Sequence, residues 1–155
     1  MASERSNAVL RATIFGLVAF ASCMAGTPQA TAVILNSGST NSHGYKITVA
    51  TDGTGTAVLA NRDGSAAGPV KSFHIAPQIA ARFFADLAAA RKSKTPAAGC
   101  MKSASFGSVT HVTWDGWQSP DLDCPPGDAS IGALVTDVER IREASGIPAF
   151  PLRQP

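Results

Sequence analysis

Three histidines, a short succession of aspartates, a pair of cysteines and three large amphipathic aromatics are the side chains in this sequence with chemistry to offer. A histidine becomes a general base when a carboxylate orients it and a nucleophile stands beside it. His43, His74 and His111 are scattered through segments of different character. His111 shares a strand face with Val109 and Thr113 and could act as a base if an acid lay near, yet no Gly-x-Ser-x-Gly turn presents a serine to it. Asp115, Asp121, Asp123 and Asp128 would bring hard oxygen ligands into loops, which is what calcium requires, but their spacing follows no calcium loop. Asp115 precedes Gly116 as a turn residue, and Asp128 precedes an apolar-periodic run as a helix cap. Cys100 and Cys124 come with no CxxC or HxxxH that would make a zinc site. Gly53-Thr54-Gly55 is a turn and not a phosphate loop, because no helix and no Lys-Ser/Thr follow it. No catalytic residue, metal ligand or cofactor is therefore assigned.

Tyr45, Trp114 and Trp117 are the remaining candidates, as aromatic anchors for an envelope or extracellular protein or a glycan. Core packing is the competing role for all three. The two tryptophans flank Asp115-Gly116, a pair that tolerates positive φ at both positions of a two-residue hairpin turn. Such a turn sets its flanking residues directly opposite each other, and a cross-strand indole pair adds roughly 0.2–1 kcal/mol. The hairpin lies between Cys100 and Cys124; bonded, these would close a loop of about 25 residues and contribute about 3.5 kcal/mol in the chain-entropy model.

The elements that must position these residues follow from periodicity. Residues 45–50 alternate large apolar with smaller or polar side chains and turn through 51–55 into a second strand over 56–60. A third strand is expected over 70–75, and Pro77 opens a helix that places Ile79, Phe83, Phe84 and Leu87 on one face. After the Trp hairpin, Asp128 starts a last helix whose core face is Ile131, Leu134, Val135, Val138 and Ile141. Asp137 with Arg140 and Glu139 with Arg142 are expected as ion pairs on its wet side. Hairpin, strand, helix, hairpin, helix reads as two β-β-α units in an α+β fold: four or five antiparallel strands with both helices on one face.

Organisation along the chain is read from composition. Arg5 and Arg11 precede an apolar run over 12–25, long enough for an export signal and short of the roughly 20 residues of a membrane span. Ala30-Thr31-Ala32 is a small-residue cleavage site, so 1–32 is expected as the signal, 33–44 as a flexible leader, 45–147 as one domain and 148–155 as a Pro-rich tail. The mature chain would be periplasmic or secreted, without a membrane span. A competing reading is a lipoprotein anchored through Cys23, on the box Phe20-Ala21-Ser22-Cys23. Either way Cys100 and Cys124 remain as an even pair in an oxidising compartment, where a disulfide is expected. The net charge of +2 shrinks further when the leader is removed, and the only basic cluster is Arg91, Lys92, Lys94 and Lys102. That is no footprint for phosphate neutralisation, so nucleic acid is excluded as a partner.

The stretch GYKITVATDGTGTAVL, followed by the helix around FHIAPQIAARFFADLAAAR, a hairpin and a closing helix, resembles small exported bacterial domains of unknown function. In those domains a Y-x-[IV]-x-[IV]-x-x-[DN]-G strand-turn follows a signal or lipoprotein leader. The resemblance covers 44–147 and implies an exported α+β domain, but supplies no catalytic residues to carry over. The function expected is a non-catalytic binding or inhibitor-like module held by one disulfide, the alternative being a small secreted or periplasmic hydrolase.

Overall fold

The computed structural model of the chain describes residues 29–95 and 99–149. Six strands form one antiparallel sheet: β1 (Thr31–Asn36), β2 (Gly44–Ala50), β3 (Thr54–Ala60), β4 (Lys71–His74), β5 (Thr110–Trp114) and β6 (Trp117–Gln118). Their order across the sheet is β4-β3-β2-β1-β5-β6. Two helices, α1 (Pro77–Arg91) and α2 (Ala129–Ala144), complete an α+β fold. Strand alternation divides the sheet into two faces. Ala32, Ile34, Ile47, Val49, Ala57 and Val112 point inward and are buried in one cluster with Phe83 and Leu87 of α1 and Ile131, Leu134, Val138 and Ile141 of α2. The residues between them, among them Val33, Leu35, Lys46, Thr48, Thr56 and Thr113, make a half-exposed, threonine-rich outer face.

The strand over 31–36 corrects the expectation of a flexible leader over 33–44. β1 pairs with β2 on one side, from Thr31↔Ala50 to Asn36↔Tyr45, and with β5 on the other, from Ala32↔Trp114 to Asn36↔Thr110. TAVILN reads as a leader because its small residues fit a cleavage motif, and of the two strands that flank it only β2 is near in sequence, while β5 lies more than seventy residues on. Ala32 and Ile34 have no exposed surface. The candidate signal and Cys23 lie outside the described residues, as does the tail beyond Ala149.

Helix boundaries follow local chemistry. Pro77 supplies the first-turn φ of α1, whose start has no side-chain cap. Asp128 caps α2, its Oδ1 accepting from the Ser130 and Ile131 N–H groups at 2.9 and 3.0 Å, while its Oδ2 accepts from the Ser93 hydroxyl at the end of α1. Phe83 and Leu87 are wholly buried; Ile79 and Phe84 are partly so.

The expected wet side of α2 is also corrected, since Asp137 is fully buried and Arg142 nearly so. Asp137 faces α1, where its Oδ1 meets Arg82 at 3.1 Å and Arg140 of its own helix at 3.4 Å. Its Oδ2 is buried without a partner, with the Asp86 carboxyl facing it from α1. Burial, and then Asp86, push the Asp137 carboxyl up to about 6 against the pull of Arg82 and Arg140. A carboxyl raised in the folded state binds its proton more tightly there, so its stabilisation holds at acid pH and is lost as pH rises toward and through 6. Replacing Asp86 by Asn supplies an amide donor and removes the like charge. Thermal melts of Asp86→Asn and parent should therefore coincide near pH 4 and diverge by pH 7.5, with the variant melting several degrees higher; a gap independent of pH would exclude this shared-proton contact.

Candidate functional site

The Trp hairpin forms in the expected register, Trp114 opposite Trp117. Asp115 and Gly116 both take positive φ, 47° and 72°, which frees the turn to close in two residues. The cysteines are bonded, with Cα atoms 5.5 Å apart. Because Trp114 is in phase with Ala32 and Val112, both indoles lie on the inner face, under the end of α1. Trp114 meets Phe84 edge to face at 6.1 Å and carries the Arg91 guanidinium 6.0 Å above its ring. Arg91 also holds Asp115 at 2.8 Å, which ties the turn to the helix. The pair is thus half-buried. Trp117 in addition walls a groove of about 320 Å³ with Ala90, Ser93, Thr95, Gln118, Pro120 and Ile131, between the end of α1 and the start of α2.

Tyr45 does not join it. As an inner-face residue of β2 it is only 5% exposed, which corrects its candidacy as a surface anchor. It belongs to the opposite end of the strands, where a cleft of about 290 Å³ opens between the loop after β1, the segment before β5 and the last turns of α2. Asn36 shapes the loop by accepting the Gly38 N–H at 2.8 Å, and Gly38 takes φ 63°, with no room for a Cβ against the backbone of 42–44. The Ser39 hydroxyl then gathers the Asn41 and Ser42 N–H groups and delivers His43 to the cleft wall. The Nδ1 of His43 is buried and has no partner.

From α2 come Glu139 and Arg142. Arg142 donates through Nε and Nη2 to one Glu139 oxygen at 2.9 and 2.8 Å, and through Nη1 to the Ile147 carbonyl at 2.8 Å. Asp123 completes the wall, taking the Ser108 hydroxyl at 2.6 Å. Burial, followed by the Glu139 and Asp123 charges, pushes the Tyr45 hydroxyl up to about 12, with Thr110 and Arg142 pulling the other way. His43 stands in the sequence only as one of three scattered histidines, and Glu139 with Arg142 only as a surface ion pair. The Glu139/Arg142 spacing was visible, but nothing local announces that residues 36–45 fold against the end of α2.

The other candidates are dispersed. His74 ends β4 opposite Thr54. His111 lies on the outer face and donates from Nδ1 to the Ser119 carbonyl at 2.9 Å. Ser119 in turn spends its hydroxyl on the Val112 N–H and the Pro120 carbonyl. The four aspartates do not converge: Asp115 pairs with Arg91, Asp121 with Lys102 at 2.9 Å, Asp123 with Ser108, and Asp128 caps α2. Against the cost of burial, Lys102 and the Asp123 and Thr110 N–H groups hold the Asp121 carboxyl below its usual range. Cys100, Asp121 and Cys124 do come together, but both sulfurs are committed to the disulfide. No protein-family model matches the chain, and no curated protein or solved structure is significantly similar to it.

Tyr45 is the only tyrosine, so the tyrosinate absorbance near 295 nm reports this cleft alone. It should rise with a midpoint near 12, and Glu139→Gln should lower that midpoint. An ordinary midpoint near 10 would mean a wet hydroxyl and an open inner wall.

Proposed function

We propose that the protein is an exported, non-catalytic binding module that presents the Trp117 groove to an envelope or extracellular partner. The observation that carries this reading is a partly exposed indole beside a groove of about 320 Å³, on a hairpin braced by a disulfide and by the Arg91–Asp115 pair. A contact already held in place loses little conformational entropy on docking, which favours affinity. A hydrolase is disfavoured because the His111 Nδ1 and the Ser119 hydroxyl are spent on backbone groups and not on each other.

Export is supported by the disulfide, which suits an oxidising compartment. No helix among the described residues is long and apolar enough to cross a membrane. The processing site, however, belongs upstream of the position the Ala-x-Ala motif suggested. Cleavage after Ala32 would divide β1 and strip a fully buried residue from the middle of the sheet. Maturation at Cys23, with a diacylglycerol thioether anchor, leaves β1 whole.

Two measurements test this reading. Intact mass of the protein from the bacterial envelope should give a chain that begins at or before Thr31, is lighter than its reduced form by two hydrogens and, for the anchored form, starts at a lipid-modified Cys23; a chain starting at Val33 contradicts it. Trp117→Ala should abolish retention of the partner that immobilised parent captures from envelope extract, while Leu35→Ala retains it, with the thermal midpoint of both within a few degrees of parent. A fall of about 8 °C or more for Trp117→Ala, about 2 kcal/mol in a domain of this size, would make Trp117 a core residue instead.

A further inference from the structure

At the end of the strands away from the tryptophans, carboxylates and aromatic rings line one cleft. We infer that this cleft is a second binding site, independent of the Trp117 groove, and that it takes an organic cation, an alkylammonium or guanidinium group. Asp123 and Glu139 place two negative charges on its wall, and Glu143 stands 3.7 Å from Arg142 just beyond. Arg142 does not neutralise them all: it is one charge, buried, and three of its N–H groups are given to Glu139 and to the Ile147 carbonyl. The excess is felt at Tyr45, whose hydroxyl both carboxylates help to keep protonated. An anion would meet the same repulsion.

The remaining lining fits a cation in shape and in bonding. Phe106 supplies the aromatic surface, since it is 60% exposed at the rim and does not join the core cluster, while the buried Tyr45 backs the wall. Ammonium and guanidinium groups are attracted to such rings as well as to carboxylates. His43 lines the same cleft, and its Nδ1 is buried without a partner, so a donor that enters beside it has an acceptor still to satisfy. A purely apolar ligand would take water from both carboxylates and return no charge to them. The volume of about 290 Å³ admits one side-chain-sized group.

The test is a titration of the full protein with Nα-acetyl-lysine amide, Nα-acetyl-arginine amide and the neutral isostere Nα-acetyl-citrulline amide, followed by NMR at the Tyr45 and His43 rings. Saturable shifts are expected with the two cations, with a Kd of about 1 mM or tighter, and none with citrulline. Asp123→Asn, which alters an exposed carboxylate and should fold normally, should weaken binding about tenfold. Spermidine and the peptide Gly-Ser-Lys-Ser-Gly separate the sources: tighter spermidine binding assigns a free polyamine, tighter peptide binding a basic side chain of a partner protein. Equal binding of citrulline, indifference to Asp123→Asn, or shifts confined to the Trp117 groove would each overturn the inference without touching the role proposed for Trp117.

Discussion

The fold depends on where β1 lies. β2, β3 and β4 form one meander, β5 and β6 a separate hairpin, and β1 is the strand that pairs with both groups. Without it the sheet would be two fragments, and a two-stranded hairpin is marginal by itself. Its two inward side chains, Ala32 and Ile34, sit at the centre of the cluster that both helices cover. Because β1 meets β5 only after the whole of α1 and the following loop have intervened, this is the contact with the largest loop-closure cost in the sheet. The disulfide between Cys100 and Cys124 works on the same problem from the other side, since it confines the hairpin that must find β1.

That arrangement explains which parts of the structure could be read in the sequence. The β2–β3 hairpin, the Trp114/Trp117 register, Pro77 and Asp128 at the helix starts, and the apolar stripes of both helices all rest on local chemistry, and each was legible. β1 was not, because TAVILN carries two compatible meanings: a small-residue processing motif followed by a short apolar run, and a strand buried between two neighbours. Its pairing with Val112 and Trp114 decides between them, and no local rule reports that pairing. The cleft was hidden for the same reason, since it exists only once the loop after β1 and the last turns of α2 have been brought together by the sheet.

The two ends of the strands have consequently acquired different characters. At one end the inner face finishes in Trp114 and Trp117, whose large apolar areas are half covered by α1 and by the Arg91 guanidinium. At the other end it finishes in Tyr45, Asn36 and Thr110, and there the Asn36 amide donates to the Thr110 hydroxyl at 2.7 Å. A buried polar group must find a partner or lose a kcal/mol or more, about 1–3 for each unsatisfied atom. Most atoms at this end do find one, and His43 Nδ1 is a named exception among the described residues. The apolar end is therefore suited to contact by area, and the polar end to contact by charge and geometry.

α2 shows how one spacing can have two outcomes. Asp137/Arg140 and Glu139/Arg142 repeat the same i, i+3 pairing, which on a solvated helix is worth about 0.2–0.5 kcal/mol and buries nothing. Two residues of helix rotate a side chain by about 200°, so Asp137 turns into α1 while Glu139 turns toward the cleft. In the first pair the acid is buried and the base half exposed; in the second the base is buried and the acid exposed. Neither inversion is contained in the spacing. Asp137 can be buried because Arg82 comes across from α1, and Arg142 because the chain doubles back through Gly146, at φ 74°, to offer the Ile147 carbonyl. A buried charge deprived of such partners costs several kcal/mol. The turn that ends α2 is thus held by the same guanidinium that props up the wall of the cleft.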